Sequence, residues 1–188
     1  MYRTATKRAI SGFTLTEAVV VMVIVGVLAA IGVPSFKYVT ASNRISAEIN
    51  GLLGDMQFAR SEAIKEGQTV TVCTSTNGTS CNTGSAGNVW NTGWIVFLDS
   101  NGDQQVETGE QVIRVQPAFN STDTLTPNTS YAAITYNRMG YAPTYTGGPI
   151  ILSLHDSTNN HDWTRCLAIT PIGAPTTEKF GAGTPSCT

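Results

Sequence analysis

The chain has 188 residues, a formal charge of −2 and a charged fraction of only 13%. A slightly acidic chain with few charges argues against a broad electrostatic surface for nucleic acid. The 18 glycines, together with abundant Thr, Ser and Asn, are typical of one β-rich extracytoplasmic domain with many turns.

The first 12 residues form a short polar segment that precedes an apolar run over residues 18–33. The charged residues of this segment are all basic: Arg3, Lys7 and Arg8. A secretory signal peptide places its apolar core before a small-residue cleavage site and loses that core on processing. Cleavage after Gly12 would instead retain the apolar run and expose Phe13 as a new N-terminus. We therefore interpret residues 1–12 as a cleaved leader.

The segment over residues 13–33 is long enough to cross a membrane. As a helix it spans roughly 31 Å at about 1.5 Å per residue. The positive-inside rule keeps the basic leader in the cytoplasm and places the chain after Pro34 outside, so the chain crosses the membrane once. Glu17 lies at the start of this segment, and an ionised carboxylate in hydrocarbon is costly unless another group pairs with it. The sequence therefore predicts a partner for Glu17.

The leader, the Gly12-Phe13 junction, Glu17 and Pro34 together resemble the N-terminus of type IV pilins and of the pseudopilins of type II secretion. This resemblance implies that a prepilin peptidase cuts between Gly12 and Phe13 and then methylates the new amine of Phe13. It also implies that the carboxylate of Glu17 meets the N-terminal ammonium of a neighbouring subunit. Thr16 departs from the family pattern, where Ile or Leu is usual, which should affect packing more than processing. The alternative is an ordinary signal anchor with an unrelated Glu.

Beyond Pro34, which should bend or loosen the helix, apolar residues recur at helical spacing. They are Ile45, Ile49, Leu52, Leu53, Met56, Ala59, Ala63 and Ile64. Charged residues fall largely between them: Arg44, Glu48, Asp55, Glu62 and Lys65. The pattern predicts an amphipathic helix whose apolar stripe packs on a sheet, with Gly67 as its stop. One helix is therefore expected over residues 13–66.

After Gly67 the apolar period changes from helical to alternating, which indicates strands. Strands are predicted over residues 69–74, 94–98, 111–116, 131–137, 150–154 and 166–170. The fold class is α+β, with one long N-terminal helix packed on an antiparallel β-sheet head. The expected organisation is a leader over residues 1–12, a helix over 13–66 that is transmembrane over about 13–33, and a head over 67–188.

Four cysteines lie beyond the membrane segment: Cys73, Cys81, Cys166 and Cys187. An even number of cysteines in an oxidising compartment indicates disulfides, and three pairings are possible. We favour Cys73–Cys81 and Cys166–Cys187, because each pair closes a loop rich in Gly, Ser and Thr. The alternative is a zinc site, but the spacings match no zinc pattern.

The head carries a second, narrower resemblance. Cys73, Cys81, Trp90 and the segment GWIVFLD at residues 93–99 are similar to the minor pilins and minor pseudopilins of the FimU/FimT/GspH family. The resemblance implies the type IV pilin fold and a minor subunit, made in few copies, that primes filament assembly at or near the tip. Its partners would be other minor and major pilins, the prepilin peptidase and the inner-membrane assembly platform. It implies neither catalysis nor a cofactor. A GspH-type pseudopilin of type II secretion is the nearest alternative.

A DNA receptor for natural transformation is the alternative of a different class. In some FimT proteins a Gly-Arg-x-Arg motif follows the strand that corresponds to residues 165–170. The corresponding stretch here is Gly173-Ala174-Pro175-Thr176, which lacks both arginines. Phosphate binding needs clustered cations, so we do not expect this chain to bind DNA.

Two further patterns suggest metal or catalytic sites. Asp99, Asn101 and Asp103, with Glu110 in the twelfth position, resemble a calcium loop, although Gln104 replaces the usual sixth glycine. The alternative is a turn capped by Asp and Asn. The second pattern, a polar stretch that we read as a solvated loop, contains His155, Asp156, His161 and Asp162. Because no nucleophile elbow, phosphate loop or metal-helix motif is present, we expect no enzymatic activity.

Overall fold

The computed structural model describes residues 12–142, 148–182 and 187. The leader residues 1–11, with Arg3, Lys7 and Arg8, lie outside the described residues. The chain divides into two compact units, one that extends to Thr40 and one that begins at Ala41. We call the second of these the head unit.

The first element is a single helix, α1, over Leu15–Glu66. Pro34 lies inside it, and the helix continues on both sides of this residue. The helix ends before Gly67, whose φ of +66° is the left-handed conformation common just after a helix. The prediction of one long N-terminal helix is confirmed, with observed bounds within about two residues of those expected.

Eight strands follow and form two antiparallel sheets of four strands each. The first sheet has the order β3-β2-β1-β5. Its strands are β1 (Val70–Thr74), β2 (Gly93–Leu98), β3 (Val112–Pro117) and β5 (Ala133–Tyr136). The second sheet has the order β4-β6-β7-β8. Its strands are β4 (Thr124–Pro127), β6 (Ile150–His155), β7 (Arg165–Ile169) and β8 (Pro175–Lys179).

The six predicted strands are present, but the two edge strands of the second sheet, β4 and β8, were not expected. Both are short, contain proline and have exposed side chains, so they lack the alternating apolar pattern by which strands are recognised. Each pairs with a single neighbour that is itself apolar and buried. The head therefore contains two sheets, because these edges complete a second one.

One face of α1 and one face of each sheet share a single hydrophobic core. The buried residues of the helix are Ile45, Ile49, Leu52, Asp55, Met56, Ala59 and Ala63. The burial of two helix residues differs from the prediction. Ile64 is 53% exposed, whereas Asp55, which the spacing placed among the polar residues, is only 6% exposed. Periodicity therefore located the packed face of the helix but not the polar group inside it.

Candidate functional site

The first part of α1 exposes its apolar side chains. The exposed fraction of these side chains is 80% at Leu15, 47% at Val21 and 69% at Ile31. No residue in the most apolar stretch is buried, and α1 is, among the described residues, the one helix long and apolar enough to cross a membrane. A surface of this kind is suited to lipid or to other apolar helices.

Glu17 lies in the first turn of α1 with its side chain exposed. Thr14 caps the helix, because its Oγ1 accepts a hydrogen bond from the backbone N–H of Glu17 at 3.3 Å. These two residues have the spacing of a capping box, and the first turn is where the helix dipole favours a negative charge. No basic side chain pairs with Glu17 within the part of the chain that the structure describes. The carboxylate is therefore available to a group from outside the chain.

An ion pair joins the first turns of α1 in the head unit to the segment before β4. Arg44 donates from Nε and Nη2 to the two carboxylate oxygens of Asp123, at 2.6 and 2.8 Å. The side chain of Asp123 is fully buried, and this two-pronged geometry is the strongest form of a charged hydrogen bond. The two residues are 79 positions apart, so no local pattern in the sequence indicates the pair.

Glu48 lies beside this ion pair. Its Oε1 accepts a hydrogen bond from the hydroxyl of Ser121 at 3.0 Å, and its Oε2 is buried without a hydrogen-bond partner among the described atoms. Burial raises the pKa of Glu48 to about 7; the hydrogen bond from Ser121 opposes this shift, and the negative charge of Asp123 reinforces it. At neutral pH this carboxyl therefore retains its proton in a large fraction of molecules.

A second polar network ties the helix to the first sheet. Asp55 accepts a hydrogen bond from the indole Nε1 of Trp94 at 2.8 Å and another from Nη1 of Arg114 at 2.6 Å. The guanidinium of Arg114 also lies over the ring of Phe58, 3.9 Å from its centre. The sequence indicated Trp94 only as part of the GWIVFLD segment. A buried indole N–H needs a hydrogen-bond acceptor. This requirement was the one signal in the sequence that an acidic residue lies in the core.

The proposed calcium ligands form a closed set of turns. Asp99 is fully buried, and its Oδ1 accepts hydrogen bonds from the backbone N–H groups of Gly102 and Asp103, at 2.7 and 3.2 Å. Its Oδ2 accepts from the hydroxyl of Thr71 at 2.6 Å and from the backbone N–H of Gln104 at 3.1 Å. Both oxygens of the first candidate ligand are therefore occupied by protein donors.

The remaining candidate ligands are also bound within the loop. Glu110 accepts hydrogen bonds from the backbone N–H groups of Ser100 and Glu107, at 2.9 and 3.1 Å. The amide of Asn101 donates to the carboxylate of Asp103 at 3.1 Å. Within the described ranges, no group of three His, Cys, Asp or Glu side chains could hold a metal ion. These hydrogen bonds are those of the alternative, a turn capped by Asp and Asn, and the calcium hypothesis stays a prediction.

The structure contains two disulfides, Cys73–Cys81 and Cys166–Cys187, the pairs favoured from the sequence. The first joins the end of β1 to the loop that follows it. The second ties the last described residue of the chain to β7, a central strand of the second sheet. Cys187 is buried there with Cys166. Both bonds therefore restrain loops of the head unit.

His155, Asp156, His161 and Asp162 do not converge on a site. Burial alone would raise the pKa of Asp156. Hydrogen bonds from Thr158 and Asn160 have the larger, opposite effect, so the pKa is lowered overall. These bonds make Asp156 a turn cap. The ring of His161 stacks on Phe180, with their centres 4.0 Å apart. Asp156 is only 4% exposed, whereas His161 and Asp162 are exposed, as expected for a solvated loop.

The turn between β7 and β8 is where the DNA-binding motif would lie. Gly173 in this turn has a φ of +78°, and a Cβ at this position would lie 1.9 Å from the carbonyl oxygen of Gly140. Only glycine, which has no Cβ, fits at position 173 against the backbone of Gly140. Arg60 of α1 lies at this turn, where its guanidinium donates hydrogen bonds to the carbonyl oxygens of Gly140 and Ile172, at 2.9 and 3.3 Å. Arg165 and Lys179 face each other across β7 and β8 at the opposite end of this hairpin.

Two family models match the chain. The model described as type II transport protein GspH matches residues 48–173, about two thirds of the sequence. The model described as prokaryotic N-terminal methylation motif matches residues 7–33, which include Gly12, Phe13 and Glu17. No curated protein matches the chain.

Solved structures of minor pilins share the fold. The minor pilin FimU of Pseudomonas aeruginosa matches with a TM-score of 0.58 and 18% identity, over 78% of this chain and 96% of FimU. A second crystal form of FimU gives 0.53 and 17%, over 79% and 98% of the two chains. The minor pseudopilin EpsH of Vibrio cholerae gives 0.49 and 11%, over 72% and 97%. At this identity the FimU match supports the fold alone.

Proposed function

The chain belongs to the GspH family of type II transport proteins, and from this premise we propose that it is a minor type IV pilin that helps to initiate pilus assembly. Members of this family are structural pilin-like subunits rather than enzymes. In this proposal the protein is anchored in the inner membrane with its head on the periplasmic side, and it then enters a filament at or near the tip. Its partners are other minor and major pilins, and the assembly platform.

Processing comes first in this proposal. A prepilin peptidase cuts between Gly12 and Phe13 and methylates the amine of Phe13. Both residues are exposed, and Phe13 lies just before α1 begins. The match of residues 7–33 to the N-terminal methylation motif supports this step. Cleavage removes the basic leader and leaves an apolar helix whose first residue carries a positive charge.

The observation that carries the proposal is that Glu17, in an exposed apolar helix, has no basic partner among the described residues. Its exposed neighbours, such as Leu15 and Val20, are suited to lipid, where an unpaired carboxylate is costly. The ammonium of Phe13 on a neighbouring subunit is an opposite charge of the right kind, and it too is costly in lipid when alone. Pairing the two lowers the cost of both, so entry of a subunit into the filament is favoured and its register is fixed.

A minor pseudopilin of type II secretion is the second candidate, and the description of the matching family model favours it. Deletion of the gene in a retraction-deficient background separates the two. Loss of surface pili with normal secretion supports the pilin, and loss of secretion with normal pili supports the pseudopilin. If neither changes, the assembly role is wrong.

A DNA receptor is not proposed. The β7–β8 turn lacks the paired arginines, and nucleic-acid binding through phosphates gives a steep dependence on salt. We expect the full-length chain in detergent not to bind duplex DNA, even at low salt. The matched variant Ala174→Arg/Thr176→Arg, which introduces the motif, should bind more tightly and with a steeper salt dependence.

A further inference from the structure

Exposed apolar side chains of the head unit are concentrated around one glycine. Among the described residues of this unit, six large apolar side chains are exposed, and four of them lie around Gly140. Each of these four is between 43% and 62% exposed: Ile64, Met139, Tyr141 and Ile172. Single exposed apolar side chains are ordinary on a protein surface, whereas a contiguous group of them marks a site of interaction. We call these four residues the apolar patch.

Close backbone contacts make the apolar patch one surface. Gly140 has patch residues on both sides of it in the chain, and a Cβ at Gly140 would lie only 2.8 Å from Cδ1 of Ile64. A Cβ at Gly173, which follows Ile172, would lie 1.9 Å from the carbonyl oxygen of Gly140. The end of α1, the turn after β5 and the turn between β7 and β8 therefore meet at Gly140.

The polar backbone groups beneath the apolar patch have partners within the chain. The guanidinium of Arg60 donates hydrogen bonds to the carbonyl oxygens of Gly140 and Ile172. Oδ1 of Asn137 accepts hydrogen bonds from the backbone N–H groups of the two patch residues beside Gly140, at 2.9 and 3.0 Å. These bonds hold both turns in one conformation before a partner arrives, so covering the patch costs little conformational entropy.

A cation borders the apolar patch. Arg138 precedes Met139 and is exposed, and no acidic side chain in the described part of the chain forms an ion pair with it. It lines a cavity of about 310 Å³, whose other lining residues are Gly67, Gln68, Thr69, Ser100 and Asn137. None of these other lining residues is charged. We call this the Arg138 cavity, and a carboxylate that entered it would meet an opposite charge.

Two acidic residues beside the Arg138 cavity already have partners. Glu66 forms an ion pair with Lys65 at 3.2 Å. Glu110 accepts a hydrogen bond from the backbone N–H of Ser100 at 2.9 Å. Neither carboxylate pairs with Arg138, so its guanidinium is available to a carboxylate from outside the chain.

A second copy and a membrane both fit this surface less well than a different protein does. The acidic stretch at residues 99–110 has four carboxylates but none of the exposed large apolar side chains. A second copy therefore offers no acidic segment that could also cover the apolar patch. Anionic membranes are bound by clusters of about four to eight basic residues, whereas Arg138 is the one charged residue that lines the cavity.

We propose that the apolar patch and the Arg138 cavity form the docking surface for one different pilin-like subunit, whose head presents an apolar side chain next to a carboxylate. The apolar side chain covers the patch, and the carboxylate enters the cavity and pairs with Arg138, which gives the contact an apolar centre and a charged rim. This inference deepens the proposed function and rests on it, because a subunit made in few copies has neighbours unlike itself.

Photo-cross-linking at the apolar patch tests this contact in cells that make filaments. The full-length variant Ile172→p-benzoylphenylalanine is expressed in the deletion strain, and light joins its photoreactive ring to the chain that touches it. We expect one adduct with a different chain that carries an N-terminal methylation motif, at an apolar segment that contains Asp or Glu. Val115→p-benzoylphenylalanine, at an exposed apolar position outside the patch, is the matched control and should give no such adduct.

Charge variants identify Arg138 as part of the contact. When Arg138→Glu is added to the chain with the probe at position 172, the yield of the adduct should fall about tenfold, because attraction becomes repulsion. Lys179→Glu, which reverses an exposed cation elsewhere in the head unit, should leave the yield unchanged. Replacement of the partner's carboxylate by lysine should restore the yield with Arg138→Glu. Both positions are exposed, so the purified variants should melt at the temperature of the wild type.

The proposal is overturned if position 172 gives no protein adduct, if the adduct contains lipid, a second copy of this chain or a chain without the methylation motif, or if position 115 gives the same adduct. An unchanged yield with Arg138→Glu also overturns it. This outcome is separate from that of the proposed function. A missing adduct beside a deletion strain without pili removes only the docking surface. A deletion strain with normal pili and normal secretion removes the assembly role, whatever the adducts show.

Discussion

The two units of the chain differ in how far they bury their apolar side chains. Val19 and Ile31, in the first unit, are 51% and 69% exposed, whereas Ile45 and Leu52, further along the same helix, are 1% and 0% exposed. Both segments are apolar, and both are helical. The difference is that the head unit supplies two sheets to cover its part of the helix, and the first unit supplies nothing.

This difference shows where each unit obtains its stability. The head unit buries its apolar side chains within the chain and holds its polar groups in internal networks, such as that of Asp55. The first unit needs lipid or neighbouring helices to cover its side chains. Changes to the first unit should therefore affect assembly, and changes to the head unit should affect folding.

The largest expected effect is that of Glu17→Ala on assembly. Loss of the carboxylate leaves the ammonium of the neighbouring subunit unpaired in an apolar environment, so incorporation into filaments should fall more than tenfold while cleavage after Gly12 continues. Glu17→Gln, which has the same size without the charge, should behave similarly. Immunoblots of sheared filaments and of membranes measure both steps.

Glu66→Ala is the control for this prediction, because it removes an exposed carboxylate from the head unit instead. It should leave cleavage intact and cost much less incorporation than Glu17→Ala. Normal incorporation of Glu17→Ala would show that charge pairing is not what brings this subunit into the filament. A lower thermal stability of Glu17→Ala would show that the two units are not independent.

Removal of the Cys166–Cys187 disulfide should produce the largest loss of stability in the head unit. The closed loop spans 21 positions, and the chain-entropy model predicts a loss of about 3 kcal/mol for Cys166→Ala/Cys187→Ala. The Cys73–Cys81 loop spans 8 positions, so its double variant should lose about 2.5 kcal/mol. Denaturant unfolding followed by tryptophan fluorescence compares the two variants. A larger loss from the shorter loop would contradict the loop-length account.

Asp55→Ala should destabilise the head unit by about 2 kcal/mol, because it leaves the buried N–H of Trp94 without an acceptor. The side chain of Arg114 is 43% exposed and can form hydrogen bonds with water instead, so the loss of its ion pair adds little to the destabilisation. Glu62→Ala is the control, since it removes only a surface ion pair with Lys65 and should cost less than about 0.5 kcal/mol. Equal effects of the two variants would mean that the Asp55 network does not stabilise the fold. Membrane insertion should be normal in both.

The smallest effect is a pH dependence caused by Glu48. Its folded-state pKa of about 7 lies above the ordinary value of 4.5, so its carboxyl favours the folded state only while protonated. The contribution of Glu48 to the free energy of unfolding should be greatest below about pH 4.5 and should be lost as the pH rises through 7. Because Glu48 is partly exposed, we expect a loss of about 1 kcal/mol between pH 5 and 8, well below the full linkage value.

Glu48→Gln tests this dependence, because the amide keeps the shape and cannot ionise. The variant should match the wild type near pH 5 and exceed its melting temperature at pH 8. Measurement above pH 5 avoids the opposite effect of Asp156, whose lowered pKa removes stability only in more acidic solution. If the melting temperatures of both proteins changed with pH in the same way, Glu48 would be ionised throughout this range and the prediction would be wrong.

The sequence by itself determined the features that depend on local order along the chain. The spacing of apolar residues such as Ile49, Leu52 and Met56 located the packed face of α1, and Gly67 marked its end. The segment at residues 93–99 placed the chain among relatives of GspH, and the family model agrees. These features could be read because periodicity, caps and motifs involve residues within a few positions of each other.

Only the tertiary structure decided the features that depend on distant residues. The partners Arg44 and Asp123 are 79 positions apart, and Asp55 and Trp94 are 39 apart. Strand β8 is polar, and it is a strand because β7 offers it an edge. The turn that follows β2 also depends on a distant residue, since the hydroxyl of Thr71 donates a hydrogen bond to Asp99. Burial and hydrogen-bond partners are set by the packing of the whole head unit, and no short window of sequence contains that information.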